Sequence, residues 1–156
     1  TPKPSSAASD VYKRQLYLAR SEVNRLLATS MGLGSRLPAY CTSIGRVLLA
    51  QLPEPALARY FATVDLQPYT EFTLTTEAKL RAELARIREQ GYAVVDQELE
   101  LNVRAISVPV RSASGKACGA VNVSVKAARV PLIRLTEEFL PPLRQAVERI
   151  GEFLVA

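Results

Sequence analysis

The apolar residues of this chain change period at Gly91, and that change limits the possible folds more than any other feature of the sequence. Before it, over 76–90, Leu80, Leu84 and Ile87 recur at helical spacing. After it, 92–96, 103–111 and 116–126 read as strands. In the last stretch Ala117, Gly119, Val121, Val123 and Val125 share one face, and Cys118, Ala120, Asn122 and Ser124 share the other. Ser112, Ala113, Ser114 and Gly115 supply a turn, so 103–126 is predicted to be an antiparallel hairpin. Pro109 cannot donate to a strand ladder, which argues for an edge or a bulge there.

Helices are predicted on either side of this region. Thr42 or Ser43 can cap a helix to about Gln51, with Ile44, Val47 and Leu48 on one stripe. Pro53 and Pro55 end it and start a second, over 54–62. Thr75 or Thr76 caps the helix that runs to Gln90, and Gly91 ends it. The chain closes in two helical pieces, 131–140 and 142–154, with Pro142 opening the second and Leu143, Val147, Ile150 and Leu154 as its stripe. Near the start, 16–22 and 25–31 read as a hairpin around Asn24, with a single helix over 12–31 as the competing reading. Residues 1–15 show no periodicity and are set aside as a leader or linker. The order of elements predicts an α+β domain over 16–156, a mainly antiparallel sheet with helices packed against it.

Composition narrows the chemistry. The 156 residues suffice for one core. No apolar run approaches the roughly 18–20 residues of a membrane helix, and the first fifteen residues lack a signal-peptide core. A cytoplasmic protein without membrane contact is expected. There is no histidine. Cys41 and Cys118 therefore cannot complete a common His/Cys metal site, and Ser-His-Asp or Cys-His catalysis lacks its base. No phosphate-binding glycine loop is present. No enzymatic activity, metal or cofactor is expected. The net charge of +5 is inflated by Lys3, Lys13 and Arg14 in the leader, and no basic cluster marks a nucleic-acid surface.

Three stretches could still carry function. Cys41, Thr42, Ser43, Ile44 and Gly45 open a helix, whose unpaired N–H groups and positive dipole end suit a carboxylate; a plain N-cap is the simpler reading. Asn122 and Ser124 lie on the polar face of their strand, which either lines a small-molecule pocket or faces solvent. Asp96, Gln97, Glu98, Leu99 and Glu100 precede Arg104. This run reads as a solvated acidic loop with Arg104 as an ion-pair partner, rather than as a catalytic carboxylate pair.

The stretch from Arg36 to Ala50, RLPAYCTSIGRVLLA, resembles the opening of the effector-binding domain of IclR-type bacterial transcriptional regulators. Further likeness follows in order: Tyr69-Thr70, Gly91-Tyr92-Ala93, Arg104-Ala105-Ile106, Ala120-Val121-Asn122-Val123-Ser124, and Phe139-Leu140-Pro141-Pro142. It is most similar to the branch that controls breakdown of aromatic acids. The resemblance implies a GAF/profilin-like domain, a homodimer or tetramer, and a small carboxylic-acid effector. It implies that DNA is contacted only through an N-terminal winged helix-turn-helix, which this sequence does not contain; a stand-alone GAF-like ligand-binding module not coupled to DNA is the alternative reading. Carried onto this chain, the family's pocket falls at Leu37, Ser43, Ile44, Val95, Val103, Ala105, Asn122 and Ser124. The family commonly has Gly where this chain has Asn102, a residue that tolerates a left-handed conformation.

Overall fold

A computed structural model describes residues 14–16 and 36–154. Two short strands, β1 (Arg14–Leu16) and β2 (Arg36–Pro38), pair antiparallel. Three helices follow: α1 (Ser43–Leu49), α2 (Glu54–Thr63) and α3 (Glu77–Gln90). The main sheet is β3 (Ala93–Asp96), β4 (Val103–Arg111) and β5 (Ala117–Lys126), antiparallel in that order. The chain ends in α4 (Leu132–Arg134), a π-helical turn (Leu135–Phe139) and α5 (Leu140–Glu152). Among the described residues, no helix is long and apolar enough to cross a membrane.

The predicted hairpin is present, in register from Val103↔Lys126 to Val110↔Gly119. Gly115, at φ +81°, makes its turn, and Ser112 N–H donates to Lys116 O at 2.9 Å. Pro109 is tolerated for the reason expected of an edge. Gln97 N–H donates to Val103 O, so odd-numbered residues of β4 turn their backbone polar groups toward β3. That strand ends at Ala93, opposite Ser107, and the donor Pro109 lacks falls beyond it.

Strand alternation divides the interior in two. Ile106, Val108 and Val110, with Val121, Val123 and Val125, pack against Leu135, Leu140, Leu143 and Val147 of the C-terminal helices. On the other side a second cluster joins Ala39, Tyr40, Val47, Leu57, Leu80, Leu84, Ile87 and Ala93. The α3 stripe is buried as predicted; Thr76 accepts from Lys79 N–H, and Gly91 closes the helix in the left-handed region. Arg88 then ties α3 to the end of α1 through Ala50 O (2.5 Å) and Leu52 O (3.1 Å).

Several expectations need correction. Arg14 and Gln15 belong to β1, so the set-aside leader ends before them. The two readings of 16–31 fall, beyond Leu16, outside the described residues. In α1 the buried set is Ser43, Gly45, Arg46, Val47 and Leu49, whereas Ile44 and Leu48 are half-buried. A single stripe fails because α1 is enclosed by the sheet and α3 rather than laid on one surface. At the C-terminus the helical backbone runs unbroken from Leu132 to Glu152. Pro141 and Pro142 remove two N–H donors, and the turn before them widens so that Leu140 N–H bonds to Leu135 O. Ile150 (41 % exposed) and Leu154 (36 %) are not core residues. The helix has by then reached the end of β4, where Gly151 crosses Arg111 so closely that a Cβ would stand 2.6 Å from its carbonyl oxygen.

Asn102 adopts φ 64°, as a glycine would. Its carbonyl accepts from Ala127 N–H (2.8 Å), its Oδ1 accepts from Ala128 N–H (2.8 Å), and its own N–H donates to Gln97 Oε1 (3.0 Å).

Gly45 is required by close approach. A Cβ there would lie 2.2 Å from Ala39 O and 2.3 Å from Ala39 Cα, both backbone atoms that cannot swing aside. Gly45→Ala is expected to destabilise the domain by about 3 kcal/mol or more, at the upper end for overpacking, despite the better helix propensity of alanine. Urea denaturation followed by circular dichroism checks it; a loss below about 1 kcal/mol contradicts the packing described here.

Candidate functional site

One pocket opens between α1, the ends of β3 and β4, and β5. All eight residues singled out in the sequence line it. Leu37 comes from β2, Ser43 and Ile44 from the start of α1, Val95 from β3, Val103 and Ala105 from β4, and Asn122 and Ser124 from β5. The polar face of β5 therefore points into a recess. Asn122 Nδ2 donates to Ser124 Oγ at 3.0 Å, so the pair forms one polar patch.

Thr42, not Ser43, caps α1. Its Oγ1 accepts from Gly45 N–H at 3.3 Å, and its carbonyl accepts from Arg46 N–H at 3.0 Å. The N–H groups of Ser43 and Ile44 precede the first intrahelical bond, and both residues border the pocket.

Cys41, Thr42, Glu98, Leu99 and Glu100 also line the pocket and were not among the predicted site residues. The run 96–100 is not a solvated acidic loop throughout. Arg104 does pair with Asp96, at 2.9 Å, and its Nη1 donates to Val130 O, so it serves structure. Glu98 is different: it is 8 % exposed and bonded to Arg46, which is 1 % exposed. Arg46 Nη1 donates to Glu98 Oε1 at 2.7 Å, Nη2 donates to Oε2, and Nε donates to Tyr40 O at 2.7 Å. Leu74 N–H donates to Glu98 Oε2 at 3.1 Å. Three of the five guanidinium N–H donors are thus engaged, by a bidentate pair and a carbonyl.

A loop outside the pocket holds the same wall. Thr70 Oγ1 donates to Gln97 O and Thr73 Oγ1 to Glu98 O, both at 2.6 Å. Gln97 itself sits at φ 58°. The one signal in the sequence was Leu99, an apolar residue inside an acidic run between two strands.

The recess has a volume of about 440 Å³, its open mouth included. Its wall is mixed: Leu37, Ile44, Val95, Leu99, Val103 and Ala105 are apolar, and Ser43, Asn122 and Ser124 can hydrogen-bond in either sense. Among the described residues, no group of three or more His, Cys, Asp or Glu side chains could hold a metal ion.

Comparison with known proteins fits this geometry. The family model described as the bacterial transcriptional regulator IclR C-terminal domain matches residues 11–152. The Pca regulon regulatory protein of Pseudomonas putida is 46% identical over 132 residues, covering 84% of this chain and 45% of that protein. The p-hydroxybenzoate hydroxylase transcriptional activator of Acinetobacter baylyi is 33% identical over 134 residues, covering 86% and 49%. This chain spans about half the length of these relatives. Among solved structures, the inducer-binding domain of a double mutant of PobR from Acinetobacter, in complex with 3-hydroxybenzoic acid, superposes with a TM-score of 0.83 at 29% identity, covering 97% of this chain and 98% of that one. The IclR of Thermotoga maritima superposes with a TM-score of 0.84 at 29% identity, covering 92% and 58%. This chain belongs to the IclR family of bacterial transcriptional regulators and corresponds to its C-terminal domain.

Proposed function

We propose that the pocket binds a small carboxylic acid, aromatic or derived from aromatic breakdown, and that occupancy is read out through a DNA-binding domain elsewhere in the full-length regulator. The observation that carries this reading is the convergence of Ser43, Ile44, Asn122 and Ser124 on one recess with an apolar wall. The carboxylate is received by the Ser43 and Ile44 N–H groups together with the Ser43 hydroxyl and the Asn122 amide; the ring lies against Leu37, Val103 and Ala105. A helix start of this kind contributes roughly 0.3–1 kcal/mol toward an anion, so the side-chain donors matter as much. Regulators of aromatic catabolism among the relatives, and a related domain solved with 3-hydroxybenzoic acid, favour an aromatic acid. The limits of the sensing unit are proposed at 14–156, so that the whole β1–β2 pair belongs to it.

A thiol enzyme built on Cys41 is disfavoured by its surroundings. The side chain has no solvent exposure, and burial pushes the thiol up to about 12, with Arg46 only partly opposing it. At neutral pH such a sulfur is protonated and unreactive.

Two outcomes follow. Asn122→Leu removes a donor and fills the recess, and is expected to weaken the acid by about tenfold or more while the fold survives. Thermal-shift screening of aromatic acids finds the ligand, and calorimetry on the variant tests the site; unchanged affinity would place the ligand elsewhere. In alkali, the unfolded chain releases the Cys41 proton near 9 while the folded chain holds it to about 12. Burial raises Tyr40 and Tyr60 in the same direction. The folded state therefore binds more protons, and stability is expected to fall as pH rises above about 9. Denaturation from pH 7 to 11 checks this, and Cys41→Ala should flatten the decline; a flat profile in the parent would contradict the burial.

A further inference from the structure

We propose that Thr70 and Thr73 are positioning residues for the effector: they set the outer wall of the recess from behind, and the loop that carries them registers occupancy on the outer surface of the domain. This role rests on the acid-binding reading above and adds to it residues that do not line the recess.

Glu98, Leu99 and Glu100 line the recess, and none of residues 69–74 does. The backbone of the turn is nevertheless held from that loop. Each threonine hydroxyl has one proton to give. Thr70 Oγ1 donates it to Gln97 O and Thr73 Oγ1 to Glu98 O. Both oxygens also accept within the loop. Thr73 Oγ1 accepts from Tyr69 N–H (3.1 Å) and Thr70 N–H (2.9 Å), and Thr70 Oγ1 accepts from Phe72 N–H (3.1 Å). Leu74 N–H reaches the Glu98 carboxylate as well. Loop and turn are therefore one hydrogen-bonded body, and a shift in either displaces the other.

The turn depends on this clamp. Gln97 stands at φ 58°, a region that disfavours any residue with a side chain. Without its two carbonyl bonds the turn is free to relax toward ordinary backbone. The Glu98 carboxylate stays tethered to Arg46, so the displacement falls on the backbone of 97–99 and on Leu99. That side chain borders the recess and packs against the core of α1, α2 and α3. The converse holds when an acid fills the recess. Leu99 is then pinned between ligand and core, the turn keeps one geometry, and the loop behind it is held too. Tyr69 (49 % exposed) and Phe72 (47 %) ride on that loop, so occupancy inside reaches side chains outside.

Amide hydrogen exchange, resolved by NMR, reads the relay on the unsubstituted chain. The probe is whichever of benzoate, 3-hydroxybenzoate and 4-hydroxybenzoate raises its melting temperature most. Loop amides exchange through local opening. With the acid saturating, the amides of Tyr69, Thr70, Phe72 and Leu74 are expected to slow along with those of 97–103. Protection confined to 97–103 overturns the relay. Calorimetry assigns it to the threonines. Thr70→Val and Thr73→Val keep the shape and delete the donor; each is expected to weaken the acid about tenfold, whereas Thr70→Ser and Thr73→Ser stay within about threefold of the parent. Thr76→Ala separates positioning from stability. It removes the cap of α3, also lowers the melting temperature, and is expected to leave the affinity unchanged. Undiminished affinity in both folded valine variants overturns the proposal, as does an equal loss in Thr76→Ala. If a valine variant does not melt cooperatively, the exchange result on the unsubstituted chain decides alone. Binding by none of the three acids overturns the aromatic-acid reading first, and this inference with it.

Discussion

A guanidinium sealed from solvent needs a charged partner beside it, and the way Arg46 finds one organises this domain. Its three donating nitrogens engage Glu98 and the Tyr40 carbonyl. Glu98 in turn accepts from Leu74 N–H. Four segments are thereby held together: the loop before α1, α1 itself, the link before α3 and the turn between β3 and β4. Such a pair adds little net stability over a well-packed apolar pair, yet removing one partner costs about 3–5 kcal/mol. Its value lies in placement. It brings the turn at 97–100 down onto α1, and without that turn the recess between α1 and β5 would have no outer wall. Thr70 and Thr73 brace the same turn from behind.

Much of the fold was legible because local rules and tertiary packing agree. Alternation at Val121, Val123 and Val125 located β5 and the face it buries. Thr76 and Gly91 bounded α3 because capping and a left-handed terminus are local chemistry. The failures sit where a neighbour overrides the local signal. Pro142 looked like the start of a new helix, but a widened turn carries the backbone across it. Ile150 continued an apolar stripe past the point where the sheet stops, so periodicity outran the surface it was meant to cover.

The recess was legible in the same uneven way. Asn122 and Ser124 stood out as polar residues on one strand face, and Ser43 as a hydroxyl at a helix start. Glu98 did not, because an acidic residue in a turn ordinarily faces water, and its partner lies 52 positions away. Arg46 reads as a surface residue in any helical stripe. A buried ion pair that closes over such a distance leaves no periodic trace; only the fold reveals it.

The alternation along β5 has a consequence for how such a domain diversifies. Asn122 and Ser124 face the recess, and their immediate neighbours Val121, Val123 and Val125 are set in the opposite core. Mutation can therefore alter what the recess accepts without disturbing the packing that keeps the strand in place. Selection acting on one set of positions is nearly independent of selection on the other. A lineage with this arrangement can change the molecule it answers to in single steps, each passing through a folded protein.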